Sequence, residues 1–383
     1  MRLQGRLDHL LDLHLREGIG SLPPRLLPIL RMGAYQLLYM DGTPDYAAVS
    51  QAVEESGEVA GGRMKGVVNG VLRSLAREGG GPERFPRLDD DPVGHLSRWG
   101  SVPEWLARRW LEAWGPREAA ELVDAANRIP TTHLRPLGGD LKGAMELLAA
   151  GGIEATPGPP ESGTLALAAG SSPVEALELV PGIIQDPAAG WVVAWCGDVS
   201  GRQLVDLCAA PGGKAVALVG RGARVVAADR SLRRLRLLVE TRDRLGLELP
   251  LVAALGEAPP FRPVEAVLVD APCSGTGTLA RHPDARWRLS EADIPGLSRV
   301  QDGILDGAAR IVTPGGLLIY ATCTLEPEEN EERIETFLLR HREFIVEGGE
   351  GVPPHVRENG RLRVLPHRTG TDGAFAVRLR RRA

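Results

Sequence analysis

The first 77 residues alternate apolar and polar positions at helical spacing. Leu3, Leu7, Leu10, Leu11 and Leu15 open the pattern, and residues 26–39, 44–59 and 64–77 continue it as three further amphipathic helices. Pro44 suits a first helical position, with Thr43 before it as a cap. Residues 79–92 are rich in Gly, Pro and charge and read as a linker. The helical period returns over 103–127. There Trp105, Leu106, Trp110, Leu111 and Trp114 form one broad apolar face for core packing. The pattern then shortens. Residues 131–137, 153–155 and 164–168 read as strands around a helix at 141–150, a small α+β unit. An apolar segment over 188–196 contains Cys196, a plain core residue on this reading. From Gly201 onward, short apolar runs alternate with amphipathic stretches. Strands are expected at 203–207, 223–228, 251–254, 265–269 and 316–321, which predicts a doubly wound α/β sheet. The expected division is a helical domain over 1–85, a small α+β domain over 94–190 and an α/β domain over 191–383.

Composition changes this picture little. The chain has 383 residues, 43% apolar and 25% charged, as a chain of two or three packed domains should. No apolar run reaches the ~20 residues of a membrane helix, and no signal-peptide core follows Met1, so a cytoplasmic location is expected. The net charge of -5 does not advertise a nucleic-acid partner. Local basic clusters do offer one, at Arg233, Arg234 and Arg236, at Arg281, Arg286 and Arg288, and at Arg378 with residues 380–382. Each also reads as an ordinary solvated face. Only three of the 45 basic residues are lysines, Lys65, Lys142 and Lys214. A compact, deprotonatable ammonium at Lys214 differs from a forked guanidinium in what it can do. The four cysteines, Cys196, Cys208, Cys273 and Cys323, include no C-x-x-C pair. Neither a metal site nor a disulfide framework is expected.

The chemistry concentrates after residue 203. The run Q-L-V-D-L-C-A-A-P-G-G-K, 203–214, reads as strand, small-residue turn and helix start, the geometry of an α/β nucleotide pocket. The next strand ends at Asp229, placed to accept hydrogen bonds from ribose hydroxyls. Two further strands end in D-A-P-C-S-G-T-G, 270–277, and Y-A-T-C-T, 320–324. Both cysteines therefore follow the carboxyl ends of strands, where open α/β sheets bind their ligands.

These three runs resemble motifs I, IV and VI of the RNA cytosine-5 methyltransferases that use S-adenosylmethionine. R-M-G-A-Y-Q-L-L-Y-M, 31–40, and K-G-V-V-N-G-V-L-R, 65–73, resemble the NusB-like helical domain in front of bacterial 16S rRNA enzymes of that family. In this comparison the opening is short by one helix. The resemblance extends to Gln185-Asp186, to R-H-P-D-A-R-W at 281–287 and to the closing L-P-H-R-T-G-T-D-G-A-F at 365–375. It implies three parts: an all-α NusB-like domain, a ferredoxin-like RNA-binding module and a Rossmann-like methyltransferase domain acting as a monomer. It implies a cofactor site at Cys208, Ala209, Ala210, Pro211, Gly212, Gly213, Lys214, Asp229 and Asp270. Relatives usually carry Asp, near the adenine amine, where this chain has Leu255, so that contact is lost or shifts to Glu257.

The thiols answer a chemical need. C5 of cytosine is too poor a nucleophile to take a methyl group directly, and a thiolate added at C6 turns the ring into an enamine. By resemblance Cys323 is that nucleophile and Cys273 assists release of 5-methylcytosine. Asp270 meets the N3 edge of the base, and Lys214 orients the catalytic groups. A free thiol, pKa ~8.5, is only a few per cent ionised at neutral pH. A helix starting at Pro327, Glu328 and Glu329 offers its N-terminal dipole, while the acids oppose it. Arg281, Arg286 and Trp287 suit phosphate contact and base stacking on single-stranded RNA. The expected activity is methylation of an unpaired cytosine of 16S rRNA. A tRNA methyltransferase shares the catalytic motifs. A non-catalytic RNA-binding scaffold is the reading that Leu255 and the acidic charge favour.

Overall fold

The computed structural model describes all 383 residues. They form two compact units, Met1–Asn127 with Arg286–Arg288, and Arg128–Ala285 with Leu289–Ala383. No helix is long and apolar enough to cross a membrane.

The first unit is helical: Gln4–Asp12, Leu27–Tyr39, Asp45–Ala60 and Gly62–Glu78. The leucine spacing explains its core, since Leu7, Leu10 and Leu11 close on Leu26, Leu30, Val68, Leu72 and Leu75. Gly33 lets two helices meet: a Cβ there would lie 2.7 Å from Leu72 Cδ1. Arg31 holds Asp8 in a bidentate pair at 2.7 and 2.8 Å. Thr43 is not the cap of the third helix. Pro44 takes that place, with no side-chain hydrogen bond. The stretch Glu104–Asn127 is broken at Gly115, whose φ of 73° Pro116 follows. Trp110 and Leu106 are buried on it, and it packs on residues 92–99. It therefore belongs to the first unit, and the break falls at residue 127, not in the linker near 85–94.

The second unit begins with four antiparallel strands, β1 (His133–Pro136), β2 (Ala155–Pro157), β3 (Leu165–Leu167) and β4 (Gly182–Ile184), in the order β2-β3-β1-β4. Helices Leu141–Ala150 and Pro173–Leu179 complete a βαββαβ, ferredoxin-like arrangement. The second helix and β4 are absent from the sequence reading. Seven residues are too few to show a period, although Ser172 before Pro173 caps the Glu175 amide at 3.3 Å.

After helix Pro187–Trp195 come β5 (Gln203–Asp206), β6 (Arg224–Asp229), β7 (Leu251–Ala253), β8 (Val264–Asp270) and β9 (Val312–Thr322). They are parallel in the order β7-β6-β5-β8-β9. Antiparallel β13 (Ala374–Arg381) lies beside β9 and carries β10 (Phe344–Glu347) and β12 (Arg361–Val364), with β11 (Arg357–Glu358) beyond. One face packs through Leu204, Val225, Leu268 and Ile319, the other through Val205, Val267, Leu318 and Tyr320. This alternation along each strand is the period-two rule of a sheet covered on both faces. The strand order reverses between β5 and β8, and a ligand crevice forms at such a switch point.

Candidate active site

The motif turn leaves β5 at that switch point. Leu207 donates to Leu268 O and Ala209 to Ala228 O, both at 3.0 Å, so the neighbouring strands pin the turn. Ala210 donates to Asp229 Oδ2 at 3.1 Å, and Ser231 to Asp229 Oδ1 at 2.8 Å. Arg234 donates to Ala210 O. Gly212 has φ +115°, and a Cβ there would fall 2.1 Å from Leu238 Cδ1, so no other residue fits without rearrangement. From the small sheet, Arg135 donates to Gln185 Oε1 at 2.5 Å, and Gln185 donates to Gly213 O at 2.9 Å.

Lys214, in the first turn of helix Gly213–Gly220, donates to Asp270 Oδ2 at 2.7 Å. Burial works against its charge, but Asp270 outweighs that and holds its pKa above the ordinary lysine value. Lys214 is thus kept as an ammonium. Beneath them Asp206 is fully buried, and no side chain hydrogen-bonds either carboxylate oxygen. Burial, then the nearby Asp270, pushes its pKa up to about 8.

The two motif cysteines meet. Cys273 Sγ and Cys323 Sγ are 3.5 Å apart, and the Cys323 amide donates to Cys273 Sγ at 3.4 Å. The hydrogen bond with Cys323, then burial, holds the Cys273 thiol well above the usual thiol range. Burial and the surrounding acids raise Cys208, whereas Cys196 is sealed in the core and pushed up to about 12.

A residue with no site role in the sequence reading builds the frame around this pair. Glu329 does not open a continuous helix: residues 327–329 form a single tight turn, Asn330 breaks it, and the helix runs from Glu331 to Arg340. The dipole expected beside Cys323 is therefore that of one short turn. Glu329 is fully buried instead. It accepts from Ser274 N at 2.9 Å, from Gln301 Nε2 at 3.0 Å and from the Ser274 hydroxyl. Ser274 Oγ is 2.7 Å from Thr324 Oγ1, which joins the residues that follow the two thiols. Tyr320 donates to Glu329 O at 2.6 Å. The only sequence signal is an acid in the polar run P-E-E-N, 327–330, which also fits a helix start.

The closing segment reaches the same place. Gly373 donates to Gly277 O at 2.7 Å, and Gly277 to Cys323 O at 3.0 Å. Arg281 is not free for phosphate: it pairs with Asp186 at 2.6 Å and Asp372 at 3.0 Å. Arg286 is fully buried and donates to Ser101 O, Ala126 O and Asn127 Oδ1. Trp287 Nε1 donates to Met1 O at 2.9 Å. The Arg378 and Arg380 guanidiniums are both held by Glu347. Each of these side chains is thus engaged within the protein.

One cleft of about 660 Å³ gathers Cys208, Ala209, Ala210, Pro211, Gly213, Lys214, Asp229, Asp270, Cys273 and Cys323. Gly212, in the same turn, does not line it. The cleft suits S-adenosylmethionine: a nearly buried acid, Asp229, stands beside a turn without side-chain bulk. Leu297, Val300 and Ile304 supply an apolar wall.

Comparisons agree with this geometry. Residues 197–380 match the family model described as 16S rRNA methyltransferase RsmB/F, and residues 1–77 match the NusB family. The chain is 34% identical to the probable ribosomal RNA small subunit methyltransferase B of Synechocystis sp., over 100% of this chain and 89% of that one. It is also 34% identical to the protein of the same description from Bacillus subtilis, over 94% and 83%. The crystal structure of PH0851 superposes with a TM-score of 0.81 at 25% identity, covering 98% of this chain and 87% of that one. With its NusB-family front and its Rossmann-like sheet, the chain belongs to the 16S rRNA methyltransferase RsmB/F family and uses S-adenosylmethionine as methyl donor.

Proposed function

We propose that this protein methylates C5 of an unpaired cytosine in 16S rRNA through a covalent bond between Cys323 Sγ and C6 of the base. The observation that carries the reading is the pair of thiols 3.5 Å apart in the cleft that also holds the glycine turn and the Lys214–Asp270 pair. When bound, S-adenosylmethionine supplies an electrophilic methyl group on sulfur. Cys323 adds to C6, and the ring electrons this displaces make C5 nucleophilic. Asp270 has one oxygen committed to Lys214, which leaves the other to hydrogen-bond the N3 edge of the base as negative charge develops there, if that oxygen carries a proton. Cys273 holds its proton more firmly than a free thiol does, so once ionised it is a strong base. It takes the C5 proton, while the electrons of that C–H bond restore the ring double bond and expel Cys323. The target base leaves its stack to reach the sulfur. The relatives named above are described as ribosomal RNA enzymes, which favours rRNA over tRNA, and such a substrate is met in the cytoplasm.

The test uses methyl-labelled cofactor and separated rRNA and tRNA. Cys323→Ala should abolish transfer to 16S rRNA. Cys273→Ala should leave protein trapped on RNA as an adduct stable in denaturant. Full activity of Cys323→Ala, or label only in tRNA, overturns the reading.

A further inference from the structure

We infer that Glu257 is the acceptor that selects the 6-amino group of the cofactor's adenine. The inference rests on the cleft being the cofactor site and is independent of which nucleotide is methylated. The loop after β7 turns its two candidate side chains in different directions. Leu255 is 54% exposed, Gly256 is buried, and Glu257 lines the cleft.

The loop's position is fixed by the helix Ile294–Ile311 beneath it. A Cβ on Gly307 would lie 2.2 Å from Gly256 O, and a Cβ on Gly303 would lie 3.0 Å from Glu257 Cγ. Residues four apart share one face of a helix, so this pair of glycines makes the bed on which the loop rests. Arg310 donates to Glu257 O at 2.5 Å and ties the loop down from the next turn. The Glu257 side chain is thereby laid beside Gly303, along the wall formed by Leu297, Val300 and Ile304.

No hydrogen bond or ion pair engages its carboxylate, and its charge is felt at Cys208 in the motif turn. An unpartnered acceptor at the edge of an apolar slot fits a flat ring that offers a donor at its rim. Along the carboxyl edge of the sheet, Asp229 at the end of β6 is placed for the ribose. Glu257 follows the next strand, where the base attached to that ribose would extend. An ionised carboxylate only accepts hydrogen bonds. It therefore favours a 6-amino purine and opposes a 6-oxo purine, which would set acceptor against acceptor.

Calorimetry on the full chain tests this with S-adenosylhomocysteine and its 6-oxo analogue, S-inosylhomocysteine. The wild type should prefer the amino compound by about tenfold or more. Glu257→Ala should lose about tenfold in affinity for S-adenosylhomocysteine, with the preference falling to within about twofold. Glu257→Met, of similar length but without an acceptor oxygen, should show the same collapse. Melting curves identify either variant that fails to fold. Wild-type preference retained in a folded variant overturns the role of Glu257 alone. A wild type that binds neither compound overturns the cofactor site along with it.

Discussion

The backbone N–H of Cys323 points at Cys273 Sγ, 3.4 Å away, and the two sulfurs stand 3.5 Å apart. A disulfide needs about 2.05 Å, a gap that small side-chain rotations can close. Hydrogen peroxide should therefore link them: one thiol becomes a sulfenic acid, the other displaces water from it, and two thiols and one peroxide give a disulfide and two waters. Peptide mapping should find the 273–323 link, with methyl transfer lost and then restored by dithiothreitol. If both thiols stay alkylatable after activity has gone, the geometry is not as described.

Glu329 is the second point of leverage. In Glu329→Gln an amide replaces a carboxylate that accepts from Ser274 twice and from Gln301 once. One of its positions becomes a donor facing donors. We expect a loss of about 1–3 kcal/mol in stability and a fall in methyl transfer, although the side chain touches neither cysteine sulfur by hydrogen bond. Urea unfolding measures the first. The alkylation rates of Cys273 and Cys323 report whether the spacing of the thiols has changed. An unchanged midpoint with unchanged rates would remove Glu329 from the frame.

Asp206 predicts a pH dependence of opposite sign to the usual carboxylate. Its folded pKa of about 8 lies far above the ordinary 3.8. Below about pH 4 both states hold the proton. Between there and about pH 8 only the unfolded chain gives it up, so this residue's contribution falls as pH rises, and it levels off above 8. The charged groups around it are Asp270, Lys214 and Asp229. Asp206→Asn should be more stable than the wild type by a margin that widens from pH 5 to pH 8, up to a few kcal/mol. Melting temperatures across that range decide it, and a margin independent of pH would contradict the assignment.

The catalytic half was legible because buried parallel strands are short apolar runs, and the chemistry sits where each run stops: Asp206, Asp229, Asp270, Thr322. The glycine turn and both cysteines needed no tertiary knowledge. Glu329 did, since its partner Ser274 is 55 positions away. The partners of the arginines were hidden for a related reason. A charge in a sequence shows no partner, and β10 pairs with β13 so that Glu347 falls opposite Arg378. Arg281 likewise meets Asp186 and Asp372 only after folding. Helix Pro173–Leu179 was missed because its signal is a cap and not a period.

Strand β13 lies inside the sheet, with β9 on one side and β10 and β12 on the other. Just before it, Gly373 crosses so close to Gly277 that a Cβ on the latter would fall 2.8 Å from Gly373 Cα. The interior strand and the loop after Cys273 are thus braced against each other through two backbone hydrogen bonds, Gly373 to Gly277 and Gly277 to Cys323, so a side chain larger than hydrogen at either glycine would push the Cys323 backbone and the closing strand apart.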